Sequence, residues 1–92
     1  MIVYCKVQLR FPVAHSLKDK RNLLNSLKDK LQNNYNIAVA EIAGSNFCKK
    51  ATLGLVSINK DFVYLEKVIN RIIEFIDCFN GVQLVNYCLE YI

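Results

Sequence analysis

An α+β sandwich, with a four-stranded antiparallel sheet and two helices on one face, is the fold class this 92-residue sequence predicts. Three observations lead there. Apolar residues alternate with period two in four segments and recur with helical period in two others, in the order β-α-β-β-α-β. At roughly 100–150 residues per domain, the length allows a single domain. Three Gly and one Pro leave no linker to divide it, and 53% hydrophobic residues are enough for one compact core.

The first strand spans residues 2–11, with Val3, Cys5, Val7, Leu9 and Phe11 on one side and Tyr4, Lys6, Gln8 and Arg10 on the other. Pro12 ends it, because proline donates nothing to a ladder. Ser16 reads as a helix N-cap and Asp19, three residues on, as its capping-box partner. Leu17, Leu24, Leu27 and Leu31 then mark an amphipathic helix from residue 17 to about 33. Its end is the Asn33-Asn34-Tyr35-Asn36 stretch.

Residues 37–43 form a short strand that turns at Gly44-Ser45-Asn46, and residues 49–58 form a longer one. Asn59-Lys60-Asp61 supplies a turn and the second N-cap. Phe62, Leu65, Val68, Ile69, Ile72, Ile76 and Phe79 follow on a strongly apolar helix, stopped by Asn80-Gly81. The last strand, residues 82–91, sets Val85, Tyr87, Leu89 and Tyr91 against Asn86, Cys88 and Glu90. Two β-α-β units interlocked in this order make a ferredoxin-like sandwich. One sheet face stays uncovered and carries Tyr4, Lys6, Gln8 and Arg10.

Charge is unevenly spread. Residues 1–50 hold nine of the twelve Lys and Arg against three acids, whereas residues 51–92 hold three bases against five acids. Such asymmetry points to an anionic partner for one side of the fold, or to ordinary scatter on a solvated surface. No apolar run approaches the 18 or more residues of a membrane span. The first residues lack the basic and long apolar regions of a signal peptide, so a cytoplasmic chain is expected. Cys5, Cys48, Cys78 and Cys88 are widely and irregularly spaced, and are expected to be free thiols. With a single His they make no tetrahedral zinc set, and neither metal nor cofactor is expected.

Lys20 falls within the arc of the first helix's leucines, so it points to the core side and needs a carboxylate partner or a path to solvent. Glu41, the only acid of the second strand, is the expected partner. His15 and Ser16 do not read as a nucleophile and base, since Ser16 is occupied in capping and no third group orients the pair. Phosphate-binding and dinucleotide-binding glycine motifs are absent, and no catalytic residue is assigned. The better functional feature is the basic set Lys18, Lys20, Arg21, Lys28, Lys30, Lys49 and Lys50, expected to meet phosphates. Base stacking on the sheet is not expected, because the third strand has no aromatic residue and Tyr4 stands alone. The uncovered half-apolar face reads more simply as a protein interface, above all for a homodimer.

The string Pro12-Val13-Ala14-His15-Ser16-Leu17-Lys18-Asp19-Lys20-Arg21 resembles the signature of the YlxP-like family of small bacterial proteins, domain of unknown function 503. Ser26-Leu27-Lys28-Asp29-Lys30-Leu31, Val39-Ala40-Glu41 and Ala51-Thr52-Leu53-Gly54 extend the likeness along essentially the whole chain. The loop after Glu41 departs from the family's acid, Gln and aromatic-basic pattern. The resemblance implies a ferredoxin-like fold and a family signature at His15, Ser16, Lys18, Lys20, Arg21 and Glu41. Genes of the family stand among those for transcription termination, translation initiation and ribosome-binding factors, which implies an RNA- or ribosome-associated role. Together these readings lead to a non-enzymatic accessory factor that binds structured RNA or a ribosomal particle through Lys18, Lys20, Arg21, Lys28, Lys49 and Lys50. The alternatives are a homodimeric interaction module and a small enzyme built on His15, Lys20 and Glu41.

Overall fold

The computed structural model describes residues 1–44 and 49–92. Strand β1 (Ile2–Arg10) is followed by α1 (Leu17–Asn34), β2 (Ala38–Ala43), β3 (Lys50–Ile58), α2 (Phe62–Asp77) and β4 (Gln83–Tyr91). The strands form one sheet in the order β2-β3-β1-β4, each neighbouring pair antiparallel. This is the predicted ferredoxin-like α+β topology, with β1 and β3 central. Cys48 and the turn at Ser45 and Asn46 lie outside the described residues.

Alternation along β1 works as the sequence implies. Val3, Cys5, Val7, Leu9 and Phe11 are buried, while Lys6, Gln8 and Arg10 face away from the helices. Leu53 and Leu55 of β3 join them, and the helices close the layer with Leu24, Leu27 and Leu31 from α1 and Leu65, Ile69, Ile72 and Ile76 from α2. The 3.6-residue spacing of these side chains gives each helix the apolar stripe that it buries against the sheet.

Both N-caps form. Ser16 Oγ accepts from the Asp19 amide at 3.1 Å, and the Asp61 side chain accepts from the amides of Val63 and Tyr64. The reciprocal bond of the first cap reaches one residue further back than in a standard capping box, with the His15 amide donating to Asp19 Oδ2. After α2 the chain turns through Gly81, whose φ of +88° is the left-handed region that suits glycine.

Four expectations are corrected. Leu17, in the first helical turn, is exposed, whereas Lys20 three residues on is buried. Phe62 is likewise partly exposed and packs on the Tyr91 ring, with centroids 5.0 Å apart. Helix α2 ends at Asp77, although Phe79 still packs on Phe75 from the following turn. In β4 a bulge alters the alternation: Gln8 pairs with Asn86 and Leu9 with Leu84. Val85 is the extra residue and emerges on the uncovered face beside Gln8, Arg10 and Thr52.

A matching irregularity in β2, between Glu41 and Ala43, places Ile42 on the uncovered face. There Ile42 and the Tyr4 ring close over Gly54, each 3.2 Å from where a Cβ would stand. Glycine at this central position therefore allows the two side chains to meet across the strand.

Candidate functional site at the basic end of the sheet

Antiparallel pairing brings the end of β1, the start of β3 and the first turn of α1 to one end of the molecule. Sequence positions 10 and 49–50 thereby become neighbours, and Lys49 reaches the Pro12 carbonyl on the approach to α1. Arg10 and Lys50 are Cα partners across the β1–β3 ladder, and both are exposed. Like charges directly opposite one another repel, so this pair carries a local electrostatic cost that an anion would relieve. Lys49, next along the chain, holds the approach to the helix: its Nζ donates to the Pro12 carbonyl at 3.4 Å, and its own carbonyl accepts from the Phe11 amide at 2.8 Å. Phe11 and Ala14 are buried and anchor this loop from below. Lys18 is exposed on the first turn of α1.

Both acids at this end are engaged internally. Asp19 caps the helix through the His15 amide. Glu41 is held by Arg21, whose Nη1 lies 3.0 Å from Oε1 and 3.4 Å from Oε2. Sequence reasoning expected Lys20 on Glu41. The cation there is Arg21, one residue further along the helix, whose longer side chain reaches β2 from the flank of the apolar stripe. Lys20 does face the core, as its helical position predicts, and is only 3% exposed. It was expected among the phosphate contacts, but its burial keeps its ammonium off the surface. Arg21 is partly exposed but engaged with Glu41, and Lys28 is half-buried two turns along the helix.

His15 is exposed, and its backbone amide donates to Asp19 Oδ2 at 3.0 Å. Ser16 Oγ is committed to the cap. Among the described residues no group of three or more His, Cys, Asp or Glu is placed to hold a metal ion. Cys5, Cys78 and Cys88 are free thiols, Cys5 buried and the other two exposed. Burial, with a smaller effect from Cys88, pushes the Cys5 thiol up to about 11 from an ordinary value of 9.0. No helix among the described residues is long and apolar enough to cross a membrane.

The residue that sequence reasoning missed is Arg10. Strand alternation gave it a place on the uncovered face, but nothing local shows that Lys50, forty positions away, stands opposite. That requires the β1–β3 register.

A family model described as protein of unknown function (DUF503) matches residues 2–88. The chain belongs to that family. This DUF503 chain is 28% identical over 83 residues to "Uncharacterized protein YlxP" of Bacillus subtilis (strain 168), an alignment covering 90% of each. Among solved structures it is similar to the de novo designed protein Foldit4, with a TM-score of 0.58 and 12% identity, over 100% of this chain and 99% of that one. It is also similar to the de novo designed protein Ferredog-Diesel, with a TM-score of 0.52 and 10% identity, over 99% of this chain and 85% of the other. At these identities the likeness is one of fold alone, and fold carries no function by itself.

Proposed function

We propose that this DUF503 chain is a non-enzymatic accessory factor that binds structured RNA or a ribosomal particle through the basic end of its sheet. The observation that carries the reading is the Arg10–Lys50 register pair, next to Lys49 in the chain, at an end whose two acids are already engaged, with Lys18 exposed on the first turn of α1. Duplex RNA is met largely through its phosphates and ribose hydroxyls, which needs cations at suitable reach rather than an aromatic platform. The first turn of α1 adds the positive end of a helix dipole to the same region. Lys18, Lys49, Lys50 and Arg10 are the direct contacts in this reading. Arg21 and Lys20 hold the helix against β2 and the core, and Lys28 extends the basic flank.

Co-sedimentation with ribosomal subunits over a salt series tests it. The wild type should bind at low salt and lose binding steeply as salt rises, since each neutralised phosphate releases counterions. A Lys18→Glu, Lys49→Glu double variant with unchanged circular dichroism should not sediment with the particle. Binding that ignores salt, or survives the double variant, would sink the reading.

One observation favours a second reading, a homodimer through the uncovered face. Beside the Tyr4 and Ile42 contact over Gly54, Val56 and Ile58 of β3 stand exposed on the same face. Light scattering at micromolar concentration distinguishes a dimer from a monomer, and a monomer would count against this interface. The two readings are compatible, because a twofold copy would present two basic ends.

A further inference from the structure

A separate cleft of about 240 Å³ lies at the opposite end of the sheet, between the last residues of α1, the end of β3 and the first turns of α2. Tyr64, Val68 and Arg71 line it from α2, at the spacing that puts residues on one helix face. Asn34, Tyr35 and Asn36 form the opposite wall, with Ser57 and Asn59 from β3 and the turn after it. Among the described residues no carboxylate lines this cleft. Among the described residues Arg71 makes no ion pair and no side-chain hydrogen bond. The nearest acid in sequence to Asn59, Asp61, is turned onto its own helix, accepting from the Val63 and Tyr64 amides.

Two polar groups of the wall, Asn59 and Ser57, are fixed and keep unused capacity. Asn59 Oδ1 accepts from the Asp61 amide at 2.8 Å, which orients the side chain and leaves its NH₂ to donate. Ser57 is buried, 7% exposed, and its hydroxyl donates to the Asn36 carbonyl at 3.1 Å, leaving the oxygen's lone pairs to accept. Tyr35 is anchored edge-on to Phe75, with ring centroids 6.2 Å apart. Asn59, Ser57 and Tyr35 are therefore in place before any ligand arrives, which lowers the ordering cost of binding, while Arg71 stands exposed at the rim.

The geometry points to a binding site for a small monocarboxylate that carries a hydroxyl or amino group. The planar guanidinium of Arg71 matches a carboxylate in a two-pronged pair. A single cation balances the carboxylate, while the oxygen of Ser57 accepts from the hydroxyl or ammonium of the same molecule and the Asn59 amide donates to one of its oxygens. The volume falls below the roughly 300–1,000 Å³ of sites for drug-sized ligands, which sets the ligand at about the size of an amino or hydroxy acid. This site is independent of the basic end and of what binds there.

The test is a titration of the full chain, followed by backbone amide NMR, with L-serine, L-glutamine, glycine and lactate, and with inorganic phosphate and acetate as controls. At least one of the four acids should give saturable shifts confined to residues 34–36, 57–59 and 64–71. Affinity should fall at least tenfold in Arg71→Gln and stay unchanged in Lys30→Gln, a cation outside this cleft. The site is overturned if none of the four acids gives saturable shifts, or if a folded Arg71→Gln variant binds with unchanged affinity. It is equally overturned if phosphate or acetate binds as tightly as the substituted acids, because the wall then holds an anion without reading a carboxylate and its neighbour group.

Discussion

Arg21 Nη1 lies 3.0 Å from Glu41 Oε1 and so ties the second turn of α1 to the edge strand β2. Both residues belong to the signature by which the chain resembles its family, and here their contact is internal. The pair is partly open to solvent, so it locates the helix on the sheet more than it stabilises the fold. A double-mutant cycle with Arg21→Gln and Glu41→Gln should give a coupling of about 0.2–1 kcal/mol that shrinks as salt is added. Chemical denaturation of the four proteins at two salt concentrations measures it.

The cap at the start of α1 should matter more. Ser16→Ala removes the acceptor of the Asp19 amide and should cost about 1 kcal/mol. Ser16→Thr, which keeps a hydroxyl, should recover most of it. Urea midpoints of the two variants beside the wild type decide the point.

In the core, Leu27 is fully buried between α1 and the sheet. Truncation to alanine should cost about 2–5 kcal/mol, the spread depending on how far the site collapses. Leu17→Ala, at the exposed first turn of the same helix, should fall within about 0.5 kcal/mol of wild type. Thermal unfolding of both proteins would reveal whether the leucine stripe begins at Leu17 or at Leu24.

Much of the fold was legible in the sequence, because alternation and helical period are local signals. β1, both N-caps and the inward aim of Lys20 follow from spacing alone. What escaped was set by partners distant in sequence. The bulge that turns Val85 outward depends on β1 ladder positions some seventy-five residues earlier, and the choice of Arg21 over Lys20 for Glu41 depends on how α1 crosses β2. At the basic end, the individual cations were legible as residues. Their grouping around Arg10 and Lys50 appears only once the β1–β3 register is fixed.

Cys5 gives a prediction about pH and reactivity together. A thiol whose folded pKa lies near 11 against an ordinary 9.0 holds its proton more tightly when folded. Its contribution to stability is therefore complete below about 9 and is lost as pH rises toward 11. Cys5→Ala should lose that part of the alkaline decline in stability, measured by denaturant midpoints. At neutral pH a thiol reagent should label Cys78 and Cys88 rapidly and Cys5 only on unfolding, with labelled peptides identified by mass spectrometry.

The central claim is that the Arg10–Lys50 end of the sheet meets phosphate. It is tested most directly by the salt dependence of affinity for ribosomal RNA, compared between the wild type and an Arg10→Gln, Lys50→Gln double variant. Each phosphate contact removed should lower the magnitude of the log–log slope by about 1, so the variant should lose about 2 and bind more weakly at every salt concentration. Equal slopes for the two folded proteins would contradict the account, leaving Arg10 and Lys50 as solvated charges on a face that serves another purpose.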